Sequence, residues 1–247
     1  MTETLFFIIF ATFLISAASL IGVFSLSIKE KTLSKFLLFL ISLSAGALMG
    51  GAFLHLLPEA SESIEQELMY SIVLLSFALF FVIEKLLHWR HCHKKKCTVH
   101  MFGHMNLFGD AVHNFIDGLV IAAAFLTDTR LGVITSFAIA LHEIPQELGD
   151  FGVLLYAGFS KKKALTWNFL VAAVSILGGI FGYYFSFYIG QTTSYLLPFA
   201  AGGFIYIAAS DLMPEIKKET NLRKSMISFG IFLLGILIMY GVKFLGA

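Results

Sequence analysis

Five side chains that could bind a metal ion lie within the nine residues HEIPQELGD, at positions 142–150. On a helix, His142 and Gln146 share one face at a spacing of four residues. Glu143 and Glu147 form a second such pair beside them, and Asp150 lies between the two faces. Imidazole, carboxylate and amide groups are all metal ligands, so this segment is the first candidate for chemistry.

A second polar stripe lies upstream, in the sequence NLFGDAVHNFIDG at positions 106–118. At about 100° per residue, four of its polar side chains project within about 60° of one another. These four are Asn106, Asp110, His113 and Asp117, and Asn114 lies about one step round the helix from them. One face of an otherwise apolar helix is therefore predicted to be polar.

Carboxylates outnumber the basic groups in both stretches, which contain no lysine or arginine. Placing Asp117, Glu143, Glu147 and Asp150 in a membrane would cost about 2.5 to 3.5 kcal/mol each without compensation. Because four carboxylates exceed what two histidines neutralise, the missing positive charge is predicted to be a bound metal ion. Imidazole with carboxylate oxygen suits zinc, iron(II) or manganese, and amide oxygens would add weak, exchangeable ligation.

The composition indicates that these residues lie in a membrane. Hydrophobic residues make up 58% of the chain and charged residues 13%, whereas soluble domains carry about a quarter charged residues; the mean hydropathy is +0.85. A helix needs about 20 apolar residues to cross a bilayer, and eight such stretches use nearly the whole chain. They run approximately over 3–26, 34–57, 68–88, 104–127, 131–158, 163–189, 194–213 and 225–245.

The predicted fold is an all-α polytopic membrane protein with eight transmembrane helices, one transporter domain over residues 1–247, and the metal site between helices 4 and 5. Most of the 17 basic residues follow odd-numbered spans, so those loops are predicted to be cytoplasmic and both termini to lie outside. Spans 1, 3 and 8 lack polar interiors and are predicted to face lipid. Small residues in the other spans favour close helix packing, and a homodimer could use the same faces. Metal ions and lipid are the expected partners, and nucleic acid is not.

A cytoplasmic loop over about residues 88–103 collects further metal ligands. Their spacing does not match a structural zinc finger, and the lysines of the loop also suit contact with anionic lipid. We interpret the loop as a trap that receives or senses the exiting ion. Its ligands would be His88, His91, Cys92, His93, Cys97 and His100.

Two other functions fit parts of this pattern. HEIPQ is close to HExxH, the helical motif of zinc hydrolases, which would indicate an intramembrane zinc-dependent hydrolase. Against it, Gln146 stands at the second histidine position and Pro145 interrupts the helix. Carboxylates in a membrane also serve as proton relays, which would suit a proton-coupled metal exporter. The residues alone do not determine the direction of transport.

The pair HNFIDG (113–118) and HEIPQELGDFGVLL (142–155) resembles the consecutive signature helices of the ZIP family of zinc and iron permeases. The matching branch of that family reads HNxxDG and then HExPxExGD. The resemblance implies a transporter, not an enzyme, that carries a divalent metal toward the cytoplasm by alternating access. Zinc is the expected substrate, with iron, manganese or cadmium as alternatives. It also implies a multi-pass protein of a plasma membrane, such as a bacterial inner membrane.

By that resemblance, six side chains form a binuclear metal site. The first position takes His113, Asp117, His142 and Gln146, and the adjoining one takes Asn114 and Glu143, with Asp117 and Gln146 shared. Gln146 departs from the family pattern, which has His or Glu here, and a neutral amide weakens ligation. The ion pathway would include His55, Glu59, Asp110, Glu147, Asp150, Asn168, Asp211 and Glu215.

A peptide covering residues 88–103 should bind Zn²⁺ in solution, because its imidazole and thiolate groups are zinc ligands. Isothermal titration with Zn²⁺ measures this binding. A matched peptide with both cysteines and all its histidines replaced by serine is the control, and equal binding by the two peptides would rule out the trap.

Overall fold

The computed structural model describes residues 2–22, 30–89, 99–188 and 192–242. Every regular element in these ranges is helical, which confirms the predicted all-α class. We number the α-helices in chain order. Their bounds are α1 Thr2–Ala18, α2 Glu30–Gly51, α3 Leu57–Ser63, α4 Gln66–Trp89, α5 Val99–Thr127, α6 Thr129–Tyr156, α7 Lys161–Ala172, α8 Val174–Tyr188, α9 Thr192–Tyr206, α10 Met213–Lys217 and α11 Leu222–Val242.

Two pairs of helices are joined through π-helical segments. α2 continues into α3 through Ala52–Leu56, and α9 continues into α10 through Ile207–Leu212. Each segment comes just before a proline, Pro58 or Pro214. Since proline has no N–H to donate, the regular hydrogen-bond ladder is interrupted at these positions, and a local change of helix type accommodates the interruption.

The break between α7 and α8 contains no proline. The hydroxyl groups of Ser16 on α1 and Ser175 on α8 both donate to the carbonyl oxygen of Ala172, at 3.0 and 2.8 Å. Side chains that enter the helical ladder in this way bend or break a helix. α7 is therefore a separate short helix whose C-terminal end is held against α1.

Seven helical segments in the described part of the chain are long and apolar enough to cross a membrane. The remaining predicted span falls on α6, a helix of 28 residues that is roughly 42 Å long at 1.5 Å per residue. α6 is long enough to cross a membrane, but it does not qualify as a span by composition, because it carries four strongly polar residues. These are His142, Glu143, Glu147 and Asp150. The structure confirms a multi-pass helical membrane protein with seven such segments.

The helices pack in two groups. One contains α2, α4, α9 and α11, and the other contains α1, α5, α6, α7 and α8. The groups meet where α6 packs on α2 and where α5 packs on α9. The first, third and last spans are the least buried of the seven, and their contact with lipid stays a prediction.

Close contacts between helices depend on glycine in both groups. A β-carbon at Gly118 of α5 would lie 2.0 Å from the carbonyl oxygen of Ser175 on α8, and Gly178 is equally confined from the α8 side. A β-carbon at Gly46 of α2 would lie 2.0 Å from the carbonyl oxygen of Phe232 on α11. These distances are far below van der Waals contact, so only glycine lets the backbones meet. The small-residue faces therefore pack within the chain.

Most of the predicted cytoplasmic metal trap lies outside the described residues. His91, Cys92, His93 and Cys97 fall between residues 89 and 99, and at His88 and His100 the structure describes only helical backbone. The trap therefore stays a prediction.

Replacing Gly118 with Ala should destabilise the protein, because the new methyl group would force α5 and α8 apart. Overpacking of this kind costs about 1 to 3 kcal/mol or more. The midpoint of thermal unfolding in detergent measures the effect. Gly230→Ala on α11 is the matched control, since nothing lies within 4 Å of its β-carbon position. Equal midpoints for the two variants would contradict the close approach.

Candidate metal site

Helices α5 and α6 are antiparallel and place the two polar stripes against each other. Side-chain contacts join residue 106 with 150, 110 with 146, and 113 with 143. This register divides the polar residues into levels about one helical turn, or 5.4 Å, apart. We call 113, 117, 142 and 143 the upper level, toward the α5–α6 turn. Residues 110, 114, 146 and 147 form the middle level, and 106 and 150 the lower level.

Four side chains meet in the upper level. Nε2 of His113 lies 3.2 Å from Nε2 of His142 and 3.3 Å from Oε1 of Glu143. Nε2 of His142 lies 3.3 Å from Oδ2 of Asp117. One ligand atom from each residue lies within 4.8 Å of the other three. Three of the side chains are buried and His113 is partly exposed, so the group is enclosed but can be reached.

Two carboxylate oxygens of the upper level have no hydrogen-bond donor. They are Oδ2 of Asp117 and Oε1 of Glu143, both buried, and both lie against the imidazole nitrogens. Leaving a buried acceptor without a partner costs about 1 to 3 kcal/mol, and more when it is charged. A divalent cation bound by two imidazole nitrogens and two carboxylate oxygens would satisfy all four atoms. This donor set fits zinc, iron(II) or manganese.

Gln146 lies in the middle level, where it contacts Asp110. Its Nε2 donates to Oδ1 of Asp110 at 3.0 Å, and Nδ2 of Asn114 donates to the same oxygen at 3.0 Å. Oδ1 of Asn114 is buried and makes no hydrogen bond. The resemblance groups Gln146 with the histidines, but in the structure Glu143 lies beside them, because the helix register pairs residue 113 with 143.

Three of the predicted pathway residues continue this polar interface. Nδ2 of Asn106 donates to Oδ1 of Asp150 at 2.8 Å in the lower level. Nδ2 of Asn168 on α7 donates to Oε2 of Glu147 at 2.5 Å and to the backbone carbonyl of Glu147 at 3.2 Å. The polar interface thus involves three helices, α5, α6 and α7.

The other four predicted pathway residues lie on the opposite group of helices. His55 is in the π-helical segment after α2, where its Nε2 lies 2.8 Å from the carbonyl oxygen of Met239 on α11. Glu59 is half-buried on α3, Asp211 is exposed in the second π-helical segment, and Glu215 is exposed on α10. Their part in an ion pathway stays a prediction.

Pro145 lies inside α6, which continues through it as one α-helix, so the prediction that this proline interrupts the helix is wrong. The proline removes the hydrogen bond to the carbonyl four residues earlier, that of Leu141. Oγ of Ser44 on α2 lies 2.5 Å from this oxygen, and 2.7 Å from the carbonyl oxygen of Leu40 in its own helix. The freed carbonyl, next to His142, is thus paired with a neighbouring helix, as a proline inside a membrane helix requires.

Sequence reasoning did not identify two residues that contact the site. One is Ser44, and the other is Phe204 of α9, whose ring centroid lies 6.3 Å from that of His142. Pro145 indicates that some donor must reach Leu141, but not which helix supplies it. Phe204 is one of 27 phenylalanines, so no local signal distinguishes it.

These features define the class of protein. The chain is a multi-pass membrane protein with a buried candidate metal-binding group between two adjacent helices. Its sequence matches the ZIP zinc transporter family over residues 2–100 and 90–243, and the chain belongs to that family. The resemblance drawn from the sequence is thereby confirmed.

Several curated proteins are similar to this chain. Zinc transporter ZIP13 of Pongo abelii is 33% identical over an aligned length of 219, and the alignment covers 81% of this chain and 65% of that protein. The ZIP13 homolog of Drosophila melanogaster is 30% identical over an aligned length of 283, and the alignment covers 85% of this chain and 80% of that protein. Zinc transporter zipt-7.2 of Caenorhabditis elegans is 36% identical over an aligned length of 151, and the alignment covers 58% of this chain and 32% of that protein. This chain thus spans slightly less than two thirds of the first relative. All three are named as zinc transporters and none as an enzyme.

Replacing Ser44 with Ala should destabilise the protein by about 1 to 3 kcal/mol, because the Leu141 carbonyl would lose its side-chain partner. Thermal unfolding in detergent measures this. Ser42→Ala is the matched control, since Oγ of Ser42 bonds only the Leu38 carbonyl of its own helix, at 2.7 Å. If Ser42→Ala lowers the midpoint as much as Ser44→Ala does, the interhelical bond has no special role.

Proposed function

We propose that the protein transports divalent metal cations, zinc first among them, toward the cytoplasm. One observation carries this proposal: in the upper level, two imidazole nitrogens lie against two buried carboxylate oxygens that have no hydrogen-bond donor. A cation is the natural partner of such a group, and the surrounding apolar helices support a position within the membrane. The zinc transporter names of the relatives support the same function.

The proposed site is binuclear. His113, Asp117, His142 and Glu143 hold the first ion, and the nitrogen and oxygen donors favour zinc while accepting iron(II), manganese or cadmium. The amides of Asn114 and Gln146 offer neutral oxygens to an adjoining ion. Neutral oxygens bind a metal more weakly than carboxylates do, which suits a site that must release its ion.

We propose that α6 crosses the membrane as an eighth span, with both termini outside. Its polar side chains are turned away from lipid, since His142, Glu143 and Glu147 are each 1% exposed. A helix that its neighbours cover in this way can carry polar side chains and still cross the membrane. The distribution of lysine and arginine supports this topology.

Alternating access would arise at the boundary between the two helix groups. The upper level lies on one group, whereas Ser44 of the other group contacts the Leu141 carbonyl next to His142, and Phe204 of that group contacts the His142 ring. A shift of one group against the other would therefore open the site to one side at a time. His55, Glu59, Asp211 and Glu215 would line the routes to and from it. A homodimer stays a prediction.

Uptake into liposomes tests this function. The purified protein is reconstituted with a metal-sensitive dye inside and supplied with Zn²⁺, Mn²⁺, Fe²⁺ or Cd²⁺. We expect saturable entry of Zn²⁺ that falls by roughly 10-fold or more in His113→Ala and in Glu143→Ala, because each change removes a ligand, and even the loss of a group that only orients a ligand costs about 10- to 100-fold. Glu65→Gln is the control, since Glu65 is an exposed carboxylate in the turn before α4.

A different outcome would favour the hydrolase interpretation. If Zn²⁺ binds to the wild-type protein in the His113-dependent way but never enters the vesicles, the protein is not a transporter. The residues next to Pro145 would then be tested for peptide hydrolysis.

A further inference from the structure

The middle level and Asn168 of α7 beside it contain more unpartnered oxygens than the proposed two-ion site explains. Oδ2 of Asp110, Oε1 of Glu147 and Oδ1 of Asn168 are buried and make no hydrogen bond. The three residues are 6%, 1% and 0% exposed. They come from three different helices, α5, α6 and α7, and all three unpartnered atoms are acceptors. Only a cation or a donor such as water can satisfy such a set.

The second polar atom of each side chain is already held by a neighbour. Oδ1 of Asp110 accepts from Gln146 and Asn114, and Asn168 Nδ2 donates to Oε2 of Glu147. These bonds fix the amide of Asn168 with its nitrogen on the glutamate and its oxygen free. Gln146, which bonds Asp110, directly precedes Glu147, which accepts from Asn168, so the three side chains belong to one buried polar cluster.

From this arrangement we propose a further cation position in the middle level, formed by the oxygens of Asp110, Glu147 and Asn168. The proposal rests on the proposed transport function, because this position would take the ion after it leaves the histidines. All three protein ligands are oxygens, with water completing the coordination. Such a site suits hard divalent ions such as Mn²⁺ or Mg²⁺ and holds zinc less tightly than imidazole does.

The position follows the upper level by about one helical turn along α5 and α6, or about 5.4 Å. In the proposed topology this step leads toward the cytoplasm, since α5 begins and α6 ends on that side. An ion moving from mixed nitrogen and oxygen donors to oxygen donors alone exchanges tight ligands for weaker ones. The middle level would therefore assist release of the ion.

Mn²⁺ is the probe for this position, because its free form has a strong EPR signal that is lost on binding. The starting protein is a His113→Ala/His142→Ala variant, in which both imidazole ligands are removed. We expect this variant still to bind Mn²⁺. Adding Glu147→Gln should weaken that binding by roughly 10- to 100-fold, because a charged ligand is lost. Adding Glu65→Gln in its place is the matched control and should leave binding unchanged.

The proposal is overturned if the double-histidine variant binds no Mn²⁺, or if adding Glu147→Gln leaves its binding unchanged. Thermal unfolding verifies that each variant is folded, and Asp110→Asn provides a second test of the same ligand set. In the otherwise wild-type chain, Glu147→Gln should lower the maximal rate of Zn²⁺ uptake more than it changes the half-saturating concentration. A wild-type protein that binds Mn²⁺ here but moves no ion would overturn the transport function and leave the binding position supported.

Discussion

Carboxylates buried in an apolar bundle, on helix segments that contain no lysine or arginine, are the constraint on which this structure depends. Asp110, Asp117, Glu143 and Glu147 are nearly inaccessible, and each has an oxygen with no hydrogen-bond donor. Their burial is unfavourable unless something supplies positive charge. Two histidines supply part of it at the upper level, and a divalent cation would supply the rest. The helices around them can be understood as a frame that keeps these oxygens together and away from lipid.

That frame depends on close backbone contact. Gly118 brings α5 against α8. Packing on α8 therefore holds α5, the helix that carries half of the polar residues, in place. Ser44 bonds the carbonyl that Pro145 releases on α6, so the other half is held by a helix of the opposite group. α6 can therefore be both polar and buried. A single interface joins α5 and α6 in antiparallel register, and that register sorts their polar residues into levels.

The upper and middle levels differ in the chemistry of their ligands as well as in their position along α5 and α6. The upper level combines imidazole nitrogen with carboxylate oxygen, whereas the middle level has only carboxylate and amide groups. Gln146 contributes to this difference, because its amide binds Asp110 where an imidazole would be a stronger metal ligand. In the proposed transport, this graded series of donors would let an ion bind selectively at one level and leave from the next. Selectivity and release would then be properties of different residues.

The sequence by itself determined the class, seven of the predicted helical spans and the polar faces of α5 and α6, because hydropathy and the helical period are local properties. It also identified the Leu141 carbonyl that Pro145 frees, which follows from the chemistry of proline. Tertiary structure decided which atoms share a level: Glu143 lies with His113 and His142, while Gln146 lies with Asp110. It also decided that Ser44 supplies the donor to Leu141. The period of one helix places side chains on a face, but the rotation and register between two helices depend on packing contacts from distant parts of the chain, such as Gly118 against Ser175.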